Sequence, residues 1–303
     1  MENEGEVRMG RLLRAISDNK TINMIAIDSK DMVEEARKVH QCTPVATAAL
    51  GRVITAGTMM GVMMKEKNAK LTLQFKGDGP LGLLVCVSNS QGDAKGYIAH
   101  PEVNLPIRMK DKKLDVSAGV GKKGTVSVIR DLGLKEPYIG QYPLTNGEIA
   151  EDLTAYYANS EQVPSSVALG VLVDVDGTVK SAGGFIVQLM PDASEEDIEI
   201  LERNLSGVLS ISHMLDEAER LEQIMEVILG ELGMNVVEER KTRYFCDCSR
   251  ERMEGALISL GRHELEQLLM EDGQAELTCH FCNNRYLFQE KDLKELILAS
   301  RPK

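Results

Sequence analysis

Apolar and polar positions in the first 191 residues follow both strand-like and helix-like patterns. Short apolar runs bounded by turn residues predict strands. These runs are Thr21–Ile27, Leu71–Phe75, Leu81–Val87, Thr125–Arg130, Tyr138–Tyr142, and a hairpin of Val167–Val175 and Thr178–Leu189 around Asp176-Gly177. Helical periodicity predicts one helix that follows Ser29, its N-cap, and ends at His40. It predicts a second helix at Glu148–Ala158. Because strands outnumber helices without regular alternation, the sequence predicts an α+β fold.

The longest apolar run, Thr43–Met64, contains one charged residue, Arg52. Its length would allow it to cross a bilayer. It is, however, rich in Thr, Gly and Ala rather than in Leu and Ile. The composition therefore favours a buried helix of a globular domain over a membrane span, and we expect no membrane association.

Residues 192–240 form a distinct acidic segment with helical periodicity. Ser194 and Asp197 match a capping box, and apolar residues recur at helical spacing from Leu221 to Leu232. The segment carries 14 acidic and 3 basic side chains, a net charge of −11 out of −12 for the whole chain. We predict an acidic helical linker whose apolar stripe packs on the domain formed by residues 1–191. Its self-repulsion should lower its local stability.

Residues 241–303 change in character and contain two cysteine pairs. The pairs are Cys246-Asp-Cys248 and Cys279-His-Phe-Cys282. Around them the sequence predicts helices at Arg250–Leu260 with Ser249 as N-cap, at His263–Met270 and at Lys291–Ala299, and strands at Ala275–Cys279 and Arg285–Phe288. This gives three parts: residues 1–191, the linker 192–240 and a C-terminal module 241–303.

Two cysteine pairs in a module too small for a good apolar core indicate a tetrahedral zinc site. A thioredoxin-like dithiol is less consistent with the sequence, because no helix is predicted directly after Cys282. The Cys-x-Cys spacing is unusual for structural zinc. An oxidised Cys246–Cys248 ring would be strained and easily reversed, which favours a redox switch over a permanent clip.

Other candidate residues carry weaker signals. Four thiolates already complete a tetrahedron, so His263 and His280 are expected at the surface or beside the ligands. Cys86 lies in an apolar run and is expected in the core, and Cys42 lies near a helix start. A closed four-thiolate site leaves no position for activating water, and no other motif indicates catalysis. The chain is therefore predicted not to be an enzyme.

Composition places the protein among reduced, intracellular proteins. Six cysteines in 303 residues do not form a disulfide scaffold, and the first residues do not match a secretory signal. We therefore expect a cytoplasmic protein. A nucleic-acid-binding zinc ribbon is the main alternative, since ribbons of this size are common in that context. The net charge of −12, the 4% aromatic content and the absence of a basic stripe weigh against it.

The four cysteines and several further segments resemble the bacterial 33 kDa chaperonin family of redox-regulated heat-shock holdases. The resemblance covers nearly the whole chain, and the four cysteines show no departure from it. The segments that carry it are Thr47–Arg52, Gly77–Gly82, Val128–Gly133, Ser160–Ser166, Gly183–Gln188, and Glu271–Ala275 leading into Cys279–Cys282.

The resemblance implies how the protein works. Cys246, Cys248, Cys279 and Cys282 would bind one Zn²⁺ as thiolates in the reduced, inactive state. Oxidants, usually with heat, would release the zinc and form the disulfides Cys246–Cys248 and Cys279–Cys282. The linker would then loosen, the protein would tend to form a homodimer, and it would hold unfolded or misfolded client proteins without ATP.

Overall fold

Strands and helices follow each other irregularly, and the α+β prediction is confirmed. The computed structural model describes residues 9–208 and 210–300. The strands are β1 Gly10–Ile16, β2 Ile22–Asp28, β3 Lys70–Lys76, β4 Leu83–Asn89, β5 Asp93–Ile98, β6 Thr125–Asp131, β7 Tyr138–Pro143, β8 Ser165–Val173, β9 Val179–Leu189, β10 Asn235–Tyr244, β11 Ala275–Thr278 and β12 Arg285–Phe288. The helices are α1 Lys30–His40, α2 Pro44–Val62, α3 Val116–Val120, α4 Ala150–Tyr156, α5 Glu195–Ser206, α6 Ile211–Glu217, α7 Leu221–Leu229, α8 Arg250–Leu260, α9 Arg262–Glu271 and α10 Glu290–Ala299.

The chain divides into two compact units, Met1–Phe245 and Cys246–Lys303. The second unit begins at the first of the four paired cysteines. The acidic segment 192–240 and the strand β10 that overlaps its end belong to the first unit. The predicted division into residues 1–191, 192–240 and 241–303 stays a prediction.

The first unit is organised by one large sheet. In the described part of the chain its strand order is β7-β6-β3-β4-β5-β10-β1-β2-β9-β8. Neighbours pair antiparallel except β10 and β5, which pair in parallel. β10 pairs with β1 from Gly10↔Thr242 to Ile16↔Asn235, but it pairs with β5 only at Arg243↔Asp93 and Tyr244↔Ala94. β10 therefore joins the two halves of the sheet.

Helix α2 forms the centre of the main core, as its small-residue composition predicted. Among the described residues, α2 is the one helix that is long and apolar enough to cross a membrane. Because nearly all its side chains are buried, it is a core helix of the domain. Two buried hydroxyls are satisfied within the helix, because Thr55 Oγ1 and Thr58 Oγ1 each donate to the carbonyl four residues earlier at 2.7 Å. Met59 and Met60 are buried core residues.

One predicted helix cap is wrong. Ser29 does precede α1, but its hydroxyl makes no bond to the first turn of the helix. Instead Ser29 Oγ is 2.7 Å from Thr55 Oγ1 in α2, and the Asp28 carboxylate accepts the backbone N–H of Lys30 at 3.1 Å. A tertiary contact with α2 has therefore replaced the local cap.

The acidic segment packs its apolar stripe against the sheet, as predicted. Helix α7 packs on β1 and β2, α6 packs on β8 and β9, and α5 packs on α7. The shared core contains Leu13, Ala15, Ile22, Met24, Ala26, Phe185 and Val187 from the strands and Leu201, Ile211, Leu221, Ile224, Met225, Ile228, Leu229 and Leu232 from the segment. The capping box of α5 is also present, with Ser194 Oγ accepting the Asp197 N–H at 3.2 Å. This cluster of side chains is called the linker–sheet core below.

Three strands were not predicted from the sequence: β1, β5 and β10. β10 reads Asn-Val-Val-Glu-Glu-Arg-Lys-Thr-Arg-Tyr, so charged residues dominate it and no apolar alternation marks it. Its place between β1 and β5 is set by pairing with strands more than a hundred residues away. Residues 235–240, predicted as part of a helical linker, are therefore strand.

The second unit contains α8, α9, the β11–β12 hairpin and α10. Its core consists of Leu257, Leu265, Phe288, Leu293, Leu296 and Ile297. Ser249 caps α8 as predicted, with its hydroxyl accepting the N–H of Arg252 at 3.3 Å. Arg250 of α8 also contacts β12 and α10. Its guanidinium lies 4.4 Å from the centre of the Phe288 ring and pairs with Asp292 at 2.9 Å.

Candidate metal centre

Local turns present the four paired cysteines from two arms of the second unit. Cys246 and Cys248 lie on the extended segment before α8. Cys279 and Cys282 lie in the turn between β11 and β12. That turn is closed by Cys279 N–H to Asn284 O at 2.9 Å and Asn283 N–H to Cys279 O at 2.8 Å. The left-handed backbone of Asn283, with φ of 56°, turns the chain back into β12.

The four sulfurs come together in one cluster and lie within 4.8 Å of one another. Cys246 Sγ is 3.7 Å from Cys279 Sγ, and Cys248 Sγ is 3.3 Å from Cys282 Sγ. Tetrahedral zinc with Zn–S bonds of about 2.3 Å requires sulfur–sulfur separations of about 3.8 Å. The observed spacing is close to that value, so the four residues fit a four-thiolate metal site.

Two of the four thiols, Cys246 and Cys282, resist ionisation when no cation is beside them. Burial, together with hydrogen bonds to neighbouring cysteines, raises the pKa of Cys246 to about 11 and raises the pKa of Cys282 further. Burial also acts on Cys248, but hydrogen bonds from Tyr286 and Cys282 outweigh it and lower the pKa of that thiol. A divalent cation would stabilise all four thiolates, so the electrostatics of the cluster favour a bound metal ion.

Tyr286 lies beside the sulfur cluster and was not predicted from the sequence. The Tyr286 hydroxyl is 3.0 Å from Cys248 Sγ, and this hydrogen bond raises the tyrosine pKa to about 12. The phenol therefore stays protonated and can donate to a Cys248 thiolate. The available signal was an aromatic residue four positions after Cys282, on the strand that returns from the turn.

The remaining candidate residues stay outside the cluster. His263 and His280 are exposed, as expected for surface groups. Cys42 and Cys86 are buried in the first unit. Burial raises the pKa of Cys42 to about 12 and the pKa of Cys86 further, so both thiols are poorly reactive.

Comparisons with known proteins agree with this architecture. The profile of the family described as "Hsp33 protein" matches residues 10–289. The "33 kDa chaperonin" of Alkaliphilus oremlandii (strain OhILAs) is 48% identical over 285 residues, which are 94% of this chain and 95% of the relative. The "33 kDa chaperonin" of Clostridioides difficile (strain 630) is 47% identical over 286 residues, 94% of this chain and 98% of the relative.

A solved structure is also similar. The crystal structure of the 33 kDa chaperonin (heat shock protein 33 homolog) from Thermotoga maritima matches with a TM-score of 0.88 and 39% identity. The match covers 96% of this chain and 99% of that one. The family match extends over the sheet, the acidic segment and the four-cysteine cluster, so the chain belongs to the Hsp33 family of chaperones.

Proposed function

We propose that this protein is a redox-regulated, ATP-independent holdase. It binds unfolding proteins under oxidative and heat stress and prevents their aggregation. Cys246, Cys248, Cys279 and Cys282 hold one Zn²⁺ in the reduced, inactive state. The single observation that carries the proposal is that these four sulfurs lie within 4.8 Å of one another, close enough to bind one metal ion.

Zinc would supply the small unit with the free energy that its core lacks. A structural zinc site contributes roughly 10–16 kcal/mol to folding. The second unit has a core of six buried apolar residues, which is small for independent stability. Loss of the four-thiolate site should therefore unfold residues 246–303.

Oxidation destroys the ligand set directly. Two thiolates give up two electrons to form a disulfide, and a peroxide that accepts them is reduced, with two protons, to water. The pairs Cys246–Cys248 and Cys279–Cys282 are the proposed disulfides. Two pairs of sulfurs from different arms lie 3.3 and 3.7 Å apart in the folded cluster. Once the module unfolds, short connections keep each within-arm pair close, which supports the proposed pairing.

The acidic segment would transmit the change. It carries a net charge of −11 and is held by the apolar contacts of the linker–sheet core. β10 ends at Tyr244, two residues before Cys246, so unfolding of the cysteine module would loosen the chain next to the end of the segment. Release of α5, α6 and α7 would expose a continuous apolar face on β1, β2 and β9, the kind of surface that binds unfolding chains.

The setting follows from the chemistry. The cysteines must be reduced at rest, so we place the protein in the cytoplasm. The exposed linker–sheet surface would also favour self-association, and a homodimer is the proposed oxidised form. Unfolded and misfolded proteins are the proposed partners.

The test measures zinc release and holdase activity together. Peroxide is added at raised temperature in the presence of a colour-forming zinc chelator, while light scattering follows a heat-denatured client. We expect loss of one zinc per chain to coincide with suppression of aggregation, and a dithiol reductant to reverse both. Zinc release without any gain of activity would contradict the proposal. Peptide mapping of the oxidised protein then assigns the disulfides.

A further inference from the structure

Strand β8 forms one edge of the large sheet. Among the described residues it pairs with β9 on one side and with no strand on the other. At its start, the outward N–H of Val167 donates to Thr154 Oγ1 of α4 at 3.2 Å. That bond gives the outward N–H of Val167 a hydrogen-bond partner. It also shows which backbone groups of β8 point away from β9.

Backbone groups alternate in direction along an antiparallel strand. Since the N–H of Val167 points away from β9, the backbone groups of Leu169, Val171 and Val173 point the same way. The structure thus places a row of outward donors and acceptors on the last half of β8. An extended chain could pair with such a row by strand addition.

A cleft of about 970 Å³ runs along this edge and is lined by all of residues 167–175. One wall is fixed to the main core. In that wall Glu148 joins Arg108 of the 104–114 loop, at 2.8 Å, to Arg52 of α2, at 2.9 Å. Much of the cleft lining is apolar, and it includes Pro44, Ala48, Leu105, Pro106, Ile107 and Leu114.

The opposite wall belongs to the acidic segment. It includes Val208 and residues 210–213 at the start of α6. Contact with β8 is close, because a Cβ placed on Gly170 would lie 2.7 Å from Ile211 and 2.6 Å from the Ser212 backbone nitrogen. In this state Leu169 and Val171 are each 7% exposed, because their side chains belong to the main core, while α6 covers β8 at Gly170.

We propose that the β8 edge at Leu169–Val173 is a docking track for an extended segment of an unfolding polypeptide, which adds to the sheet as a further strand. This inference rests on the proposed holdase function and locates its client. The track opens when the acidic segment leaves, since that segment supplies one of its two walls.

Two observations favour an unfolding chain over other occupants. Backbone pairing recognises any extended sequence, and the apolar lining accepts alternate apolar side chains, as a holdase with varied clients needs. The cleft is also continuous with the linker–sheet core on the sheet itself, because Ala168 of β8 lines the cleft and packs against that core. A client could therefore occupy the uncovered face and the edge together.

The first test removes the outward N–H of Val173 with Val173→Pro and compares it with Val173→Thr, which keeps that N–H. Proline is tolerated at edges and bulges, and the β8–β9 register shifts at this residue. After oxidation, Val173→Pro should bind a heat-denatured client at least about tenfold more weakly than Val173→Thr, with unchanged zinc release. Equal binding by the two variants would overturn the proposal.

The second test uses the activated wild-type protein and does not depend on how the proline variant folds. An eight-residue peptide of alternating valine and threonine is added, and amide exchange is followed by NMR. Protection of the amides of Leu169, Val171 and Val173 should rise at least about tenfold. No added protection overturns the proposal. Protection that rises with protein concentration alone would identify a second copy as the occupant and would also overturn it.

The outcome can be separated from that of the redox proposal. If oxidised wild type holds no client, the redox switch is refuted. The peptide experiment is then carried out on zinc-loaded Ile228→Ala, in which a lost buried contact of α7 loosens the acidic segment without oxidation. Protection of the three amides there would still support the track, and its absence would exclude it.

Discussion

Residues 9–245 and residues 246–300 differ in what holds them together. The first region has two large apolar clusters, one around α2 and one beneath α5–α7. The second has six buried apolar residues in its cluster and a group of four sulfurs. Apolar burial scales with chain length, so the larger region can be stable without a metal, while the smaller one needs a further cross-link. Stability that depends on a few sulfur atoms can be removed by chemistry that leaves the rest of the protein intact.

A second contrast lies within the larger region. Helix α2 is buried almost all round, whereas α5–α7 bury one stripe and expose an acidic face. The same sheet therefore packs against one helix that is buried almost all round and against one-sided acidic helices, which we propose to be a removable cover.

Removing one thiolate should unfold the smaller unit and spare the larger one. In Cys248→Ser the site keeps three thiolates, and most of the roughly 10–16 kcal/mol expected from zinc should be lost. Amide exchange in residues 246–300 should become fast, while residues 9–245 keep their protection. The control is Cys42→Ser, outside the cluster, which should leave residues 246–300 protected. A protected module in Cys248→Ser would show that the sulfurs are dispensable.

Weakening the cover should activate the protein without oxidant. Ile228 is fully buried in the linker–sheet core. Ile228→Ala should destabilise α7 by about 2–5 kcal/mol and give the reduced, zinc-loaded protein measurable holdase activity. The neighbouring Val227, 52% exposed, provides the control Val227→Ala, which should change neither. The measurement is suppression of client aggregation by each reduced variant. If Ile228→Ala were inactive, packing of the linker would not control holdase activity.

Removing the hydroxyl next to the cluster should weaken metal binding without abolishing it. Tyr286→Phe deletes the donor to Cys248. Groups that hydrogen-bond to metal ligands typically contribute 10- to 100-fold to affinity, so zinc affinity should fall by about that factor in a chelator competition. Tyr138→Phe in the first unit is the matched control. Unchanged affinity in Tyr286→Phe would mean that the hydroxyl has no role in the reduced site.

The smallest expected effect concerns an ion pair that fastens the cover. Arg11 in β1 donates to both carboxylate oxygens of Glu222 in α7, at 2.8 and 2.7 Å. The hydrogen bond from Arg11 lowers the pKa of Glu222 below its ordinary value of 4.5. Arg11→Gln also removes the bond from Arg11 to Glu239 of β10 at 2.7 Å, and because both pairs are partly exposed it should cost only about 0.5–1 kcal/mol.

The pH dependence of that cost has a definite sign. A carboxyl whose pKa is lowered on folding contributes stability above its unfolded pKa and loses it as pH falls through its folded pKa. The difference between wild type and Arg11→Gln in denaturant unfolding should thus be full at pH 7 and shrink below about pH 4.5. Arg203→Gln, which removes an exposed pair with Glu231, should show little difference at either pH.

The elements that sequence analysis located share one property: their evidence is local. Helix α2, the β8–β9 hairpin, the capped helices α5 and α8 and the stripe of α7 all appear within a few residues of their predicted positions. Each has a periodicity or a cap that is readable within one window of sequence. The spacing of the cysteines was likewise enough to indicate that the two pairs form one cluster.

The elements that it missed depend on distant partners. β10 consists largely of charged residues and is a strand because it lies between β1 and β5. Ser29 looked like a cap, but Thr55 in another helix takes its hydroxyl. Tyr286 becomes part of the sulfur site only when β12 folds back beside the Cys248 arm.

The α+β class, the buried nature of α2, the acidic amphipathic segment and the four candidate ligands can all be read from the amino-acid sequence. These follow from composition, periodicity and spacing, which act over short stretches of chain. The fold was needed to show where the segment's apolar stripe packs, that β10 joins the halves of the sheet, and that the edge of β8 lines a cleft beside the acidic segment. Each of these depends on pairing and burial between residues far apart in sequence, and no local pattern encodes such contacts.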